Sequence, residues 1–330
     1  MLSNFKAKNV FLRKELPMKF KLILLLTTLL LTTLLYYLGT ASPISHVSPI
    51  GKTICFSDDT GSTSMDMEEF LPLCVMGIWD IQENEELLKL QFVLMRTWLL
   101  YCFNEDDTLT YEELTNRSQT AISYMTKQLQ EKWGSGYTEN YNHLIWLQSQ
   151  TGHKVITCED AVILPFFHKL SGGHTAGTAT VYGDTYPYIT SVDSSWDLSE
   201  SGAMQTQVLN FSDFLSTLEE SYPDTGLSAE NFYDSFSLTT EEESGYVTEV
   251  TLGTQILSGV EFARIFNLQS TCFTLSKATD TKENAIRLIA KGIGDGLGVS
   301  LYGAKHLAKN GFTWEEILNH YYKNIEIREQ

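Results

Sequence analysis

The chain has 330 residues, 43% of them hydrophobic and 12% aromatic, with 23 Lys+Arg against 41 Asp+Glu for a net charge of −18. That is too apolar and aromatic for a disordered acidic chain, and long enough for one large domain or two ordinary ones. The first 21 residues hold six cations (Lys6, Lys8, Arg13, Lys14, Lys19, Lys21) and one acid (Glu15), so they carry +5 and the remainder −23. A body this acidic is a poor match for nucleic-acid phosphates or anionic lipid headgroups.

From Leu22 to Ala41 no residue is charged, and a helix of this length rises about 30 Å, the hydrocarbon thickness of a bilayer. Residues 1–21 then form a basic cytoplasmic tail, 22–41 a transmembrane anchor, and residues 42 onward are expected outside. A cleaved signal peptide is the competing reading, because Met18 with Lys19 and Lys21 resembles an n-region and Gly39-Thr40-Ala41 a small-residue cleavage site. The uncharged run exceeds a usual h-region, which favours the retained anchor, and either reading exports the rest. Residues 42–65, rich in Ser, Pro, Gly and Thr, read as a linker with at most a short strand at its centre.

Met65 to Phe103 reads as two helices broken near Trp79 to Asn84. In the second, Glu85, Lys89 and Arg96 fall within about 40° of one another on a helical wheel, among Leu, Phe, Val, Met and Trp. The plain account is a buried helix with one polar stripe, Glu85 pairing with Lys89 and Arg96 a solvated neighbour. Asn104 to Glu113 has calcium-loop oxygens but lacks the required glycine, so a solvated acidic loop is expected. The five cysteines are odd in number and contain no CxxC, so no disulfide framework is implied, and Cys74, Cys102 and Cys272 read as small core residues.

Between residues 145 and 275 the period changes. HKVIT, TATVYG, YPYITSV, GYVTEVTLG and STCFTLS read as short strands, interrupted by helices at Ser212 to Glu220 and Ser258 to Phe266. Thr313-Trp-Glu-Glu316 is a capping box opening a helix to about Tyr322. Helices, a strand-rich centre and helices again argue for an α+β domain.

Generic motifs yield little. The glycine run from Gly292 to Gly298 lacks a following Lys-Ser/Thr, and the segment before it, NAIRLIAKG, reads as helix where a phosphate loop needs a strand. His168 and His174 flank a Ser-Gly-Gly turn and would need a third ligand from elsewhere to hold a metal. No cofactor or metal is expected.

The order of five longer strings is more specific. Residues 86–97 (ELLKLQFVLMRT) resemble the EALKAQAVAART helix of the stage II sporulation protein D (SpoIID)/LytB family. PFFHKLSGGHT (165–175) resembles its FHSSSGGxT turn, YPYITSVDSSWD (186–197) its PYLxSVxSPWD, and SGVEFARIFNLQSTCFTL (258–275) its SGxEFRxxLGLxSTxFxI. GDGLGVSLYGAKHLAKNGFTWEEILNHYY (294–322) is similar to GHGVGMSQYGAxxMAxxGxxYxEILxxYY. The resemblance spans 66–326 in family order.

It implies an exported, peptidoglycan-directed protein. SpoIID-type members are lytic transglycosylases that cut glycan strands lacking stem peptides during engulfment, with a stage II sporulation protein P-like amidase/endopeptidase as partner; LytB-type members enhance a cell-wall amidase. One carboxyl group protonates the glycosidic oxygen and then takes the proton of the sugar's 6-hydroxyl, leaving a 1,6-anhydro end.

The departures point away from that chemistry. The family glutamate lies eleven residues before the lysine of the helix string, and here that position is Ile78, within Val75-Met-Gly-Ile-Trp-Asp80. Isoleucine moves no proton. Asp80 is the alternative acid, one methylene shorter and two residues on. The family's small alanines become Leu90, Phe92, Leu94 and Met95, its His becomes Asp295 and its Gln becomes Leu301, which suggests a repacked cleft. A zinc motif found in some members has no counterpart in residues 112–119. The resemblance assigns glycan contacts to Lys89, Gln91, Arg96, Ser171, Gly172, Gly173, Asp295 and Tyr302, with turn geometry an equal account of the glycines.

Overall fold

The computed structural model describes residues 48–58, 61–117, 126–177, 186–279 and 285–330. The expected anchor at 22–41, the basic tail and the strand expected at TATVYG (178–183) lie outside the described residues. Among the described residues no helix is long and apolar enough to cross a membrane.

The second half of the expected linker is ordered as a hairpin. β1 (Thr53–Asp58) pairs antiparallel with β2 (Gly61–Asp66), whose last residue caps α1 (Met67–Ile78) by accepting from Glu68 N at 2.8 Å. Asn84 caps α2 (Glu85–Phe103) in the same way, so the break between the helices falls where the sequence places it. The chain then makes β3 (Thr108–Thr110), parallel to β1, followed by α3 (Tyr111–Arg117), α4 (Thr126–Trp133) and α5 (Tyr137–Thr151). The acidic loop expected at Asn104 to Glu113 is thus partly strand and helix.

α2 is the axis of the main core. Leu90, Phe92, Leu94 and Met95, the bulkier replacements, are all buried. So is Arg96. Its Nε and Nη2 donate to the two carboxylate oxygens of Glu68 at 2.7 and 3.0 Å, and Nη1 donates to Thr151 Oγ1 and Lys154 O, both at 3.2 Å. Gln148 Nε2 completes the Glu68 carboxylate at 2.8 Å. The guanidinium therefore ties α1, α2 and α5 together inside the protein, and is not the solvated neighbour that the helical wheel suggests.

β4 (Lys154–Cys158) is flanked by β5 (Ala161–Val162) and, antiparallel, by the C-terminal strand described below; β6 (Phe167–His168) follows. YPYITSV is not a strand. Tyr186 and Tyr188 pack edge-to-face on Phe166 and Tyr322, and the segment makes one isolated bridge, Ile189 to Tyr322.

The strand-rich centre has its own core. β7 (Met204–Asn210), α6 (Phe211–Glu219), β8 (Phe236–Thr240), β9 (Val247–Leu252), β10 (Gln255–Ser258), α7 (Gly259–Ile265), β11 (Phe273–Lys277) and β12 (Ala285–Lys291) form two antiparallel sheets, β10-β9-β8 and β11-β12-β7. Phe214, Phe232, Phe262 and Phe266 fill the space between them. NAIRLIAKG is the central strand β12 rather than a helix: Ile286, Leu288 and Ala290 point inward between neighbours on both sides.

The chain returns to the first core through β13 (Val299–Ser300), parallel to β6, then α8 (Leu301–Lys309), α9 (Trp314–Tyr321) and β14 (Glu326–Glu329), the partner of β4. The capping box at Thr313 and Glu316 is present. The architecture is α+β.

Candidate functional site

Ile78 is the last residue of α1, half-buried against the main core. Next to it Trp79 turns inward, and its Nε1 donates to Gln91 Oε1 at 3.3 Å. Gln91 is wholly buried, and its Nε2 has no partner among the described residues. Tyr302, at the start of α8, places its ring 5.9 Å from that of Trp79. Lys305, one turn on, sets its ammonium 5.7 Å from the Trp79 ring centroid and 5.8 Å from that of Tyr302, while holding Glu83 Oε1 at 2.6 Å. Two of the residues named by the resemblance, Gln91 and Tyr302, therefore meet at one indole, which follows Ile78 in the chain.

No proton donor stands at Ile78, and Asp80 is engaged in an ion pair. Its carboxylate, about half exposed, lies 3.0 Å from Lys132 Nζ and accepts from Gln82 N at 3.2 Å. The Lys132 contact holds Asp80 below its ordinary value against the opposing effect of burial, with backbone hydrogen bonds assisting. The group stays ionised at neutral pH, the opposite of what a general acid requires. Lys89 is paired too, with Glu86 at 2.7 Å rather than with Glu85, and Glu86 also accepts from Trp314 N at 2.9 Å.

Ser171, Gly172 and Gly173 assemble elsewhere, at Asp197, with Asp295 to one side. Asp197 is fully buried, and its Oδ2 accepts from Ser171 N (2.8 Å), Ser194 Oγ (3.1 Å) and Ser300 Oγ (2.6 Å). Ser194 Oγ also meets Tyr321 OH at 3.0 Å, and Gly173 O accepts from Ser194 N at 2.9 Å. Gly172 N donates to Tyr246 OH at 3.0 Å, and a side chain at 172 would collide with Cys272. Ser171, Ser194, Asp197, Ser300 and Tyr321 come from three of the five strings that carry the resemblance. Their convergence makes those strings the knot that joins β6, β13, α9 and the loop after residue 186, and it leaves Ser171 no exposed surface.

Beside this knot, Asp295 lies against His168. A carbonyl can only accept, so the 2.9 Å contact between His168 Nδ1 and Leu297 O fixes the proton on Nδ1 and leaves Nε2 as a lone pair, buried with no partner among the described residues. Burial pushes the imidazole down, opposed by the charge of Asp295; burial pushes Asp295 up, opposed by His168. His174 sits apart, exposed near Asp193 at 3.9 Å. Among the described residues no three His, Cys, Asp or Glu side chains are arranged to hold a metal.

Trp79, Lys305 and Asp197 escaped the sequence reading. Asp197 had a signal, since each of the three strings that meet there keeps a Ser, Asp or Tyr at a fixed place. The Lys305 contact had none, because it depends on how α8 meets the end of α1.

No protein-family model matches the chain. Stage II sporulation protein D of Bacillus amyloliquefaciens is 25% identical over 301 residues, covering 88% of this chain and 82% of that protein. Stage II sporulation protein D of Bacillus subtilis (strain 168) is 23% identical over 285 residues, covering 86% and 80%. An uncharacterized protein of Brachyspira hyodysenteriae is 23% identical over 255 residues, covering 73% and 61%. With the sporulation proteins matched along most of both chains, these likenesses support a divergent member of the stage II sporulation protein D family.

Proposed function

We propose that this sporulation-related chain is held in the membrane by residues 22–41 with residues 42–330 outside the cytoplasm, and that it binds peptidoglycan glycan strands without cutting them. The observation that carries the reading is Ile78 at the end of α1, with Asp80, two residues on, kept ionised by Lys132. A transglycosylase needs one group that first gives and then takes a proton at the glycosidic oxygen. Neither residue supplies it. Beside Ile78, Trp79 hydrogen-bonds Gln91 and packs against the Tyr302 ring, two residues that match family positions, which supports the binding part of the reading. Such a protein serves as a scaffold or enhancer for a cell-wall amidase or endopeptidase, which would generate the strands it holds.

Co-sedimentation of the full chain with insoluble, peptide-stripped sacculi tests the binding. The expected result is recovery in the pellet, released by soluble glycan strands. A chain that stays in the supernatant would instead be a structural member of an exported complex with no glycan affinity.

A further inference from the structure

Two lysines converge on the Tyr302 ring. Lys305 Nζ is 5.8 Å from its centroid and Lys169 Nζ 6.0 Å, a pair of cations in a body that carries −23. They differ in what they hold. Lys305 is committed to Glu83 at 2.6 Å. Lys169 is exposed and forms no ion pair among the described residues. Its backbone is joined to that of the tyrosine, because Tyr302 N donates to Lys169 O at 3.3 Å. Tyr302 is half-buried, and its hydroxyl makes no hydrogen bond among the described residues. Lys169 stands where the similar family string has serine, and Lys305 at a position that string leaves open. At Lys169 a cation replaces the neutral residue of that string.

We propose that Tyr302 with Lys169 is a subsite for a sugar carrying a free carboxylate, the pyranose face lying on the phenol ring and the carboxylate on the Lys169 ammonium. Lys305, neutralised by Glu83, stays beneath as a support for the Tyr302 and Trp79 rings. This rests on the glycan-binding reading and narrows it. In peptidoglycan the fitting carboxylate is the lactyl ether of alternate sugars, which is ionised only where no stem peptide is joined to it by an amide. A stem peptide's own carboxylates offer the same chemistry from a second source. A cation fixed to the ring distinguishes a stripped strand from a substituted one by charge and by bulk together.

The test measures binding of the full chain, in mild detergent, to three oligosaccharides of equal length: a peptide-stripped peptidoglycan strand, the same strand with stem peptides, and a chitin oligomer with no carboxylate. The stripped strand is expected to bind about tenfold tighter than chitin. Lys169→Ala is expected to remove that preference with chitin binding unchanged, Lys169→Arg to keep it, and added salt to shrink it. Equal binding of stripped strand and chitin, or a preference that survives Lys169→Ala, overturns the subsite but leaves glycan binding standing. Loss of both ligands in Lys169→Ala overturns the carboxylate role, since chitin has none to lose. Tighter binding of the peptide-bearing strand overturns the lactyl assignment. Binding of none of the three overturns the glycan reading itself, and the subsite with it.

Discussion

Replacing Asp197 with alanine removes an acceptor on which three segments depend. Its Oδ2 takes Ser171 N–H, Ser194 O–H and Ser300 O–H, all from fully buried residues. The losses are unequal. Ser194 Oγ can turn to Tyr321 OH at 3.0 Å, and Ser300 Oγ still accepts from Gly303 N at 3.2 Å. Ser171 N–H has nowhere to go, and a buried orphan donor costs about 1–3 kcal/mol. With about 1 kcal/mol for each hydroxyl and a small cavity, Asp197→Ala should lose roughly 4 kcal/mol, a large part of the roughly 5–15 kcal/mol of a typical domain. Asp197→Asn keeps the shape and one accepting oxygen, so about half that loss is expected. Urea unfolding of residues 46–330, followed by tryptophan fluorescence, measures both. An Asp197→Ala protein within about 0.5 kcal/mol of the parent would refute the idea that this residue joins the family strings.

Arg96→Met leaves Glu68 charged and unpaired in the core, and should cost about 3–5 kcal/mol; the double variant Glu68→Met, Arg96→Met should recover most of it, and urea midpoints of the three proteins decide the point. Asp295 has a folded pKa raised by burial, so the stability it contributes is present below its unfolded value and lost as pH rises through its folded value. Asp295→Asn should therefore raise the urea midpoint at pH 8 and not at pH 3; a midpoint lowered at both would show the carboxylate to be a net stabiliser. His168 runs the other way. Its depressed folded value means that stability is present above the ordinary histidine range and falls with pH below it. Ile78→Glu places a carboxyl group where the family has one, and the appearance of 1,6-anhydro ends on peptide-stripped strands is expected if Trp79 leaves room for the sugar.

Local patterns in the sequence located the elements whose cause is local. The break between α1 and α2 follows from Asn84 as an N-cap, and the last helix from its capping box. β12 was misread because Ala, Leu, Arg and Lys are good helix formers, while its alternation of Ile286, Leu288 and Ala290 with Arg287, Ile289 and Lys291 gains meaning only between β11 and β7. Arg96 looked solvated because its partner Glu68 lies 28 residues away on another helix. Site residues were legible as strings, yet the strings did not reveal which of their polar groups are internal ties. Ser171 and Arg96, assigned to glycan by resemblance, spend their hydrogen bonds inside the protein, whereas Lys169 and Lys305, which no string marks, stand beside the half-buried Tyr302 ring.

The most direct test of a glycan-binding protein without its acid is product analysis. The full chain is incubated with peptide-stripped glycan strands over the physiological pH range, and the soluble fraction is examined by mass spectrometry for 1,6-anhydro ends. The expected result is none above a no-protein control, with Asp80→Asn indistinguishable from the parent. Ends that accumulate with time in the parent and vanish in Asp80→Asn would contradict the reading and make Asp80 the acid.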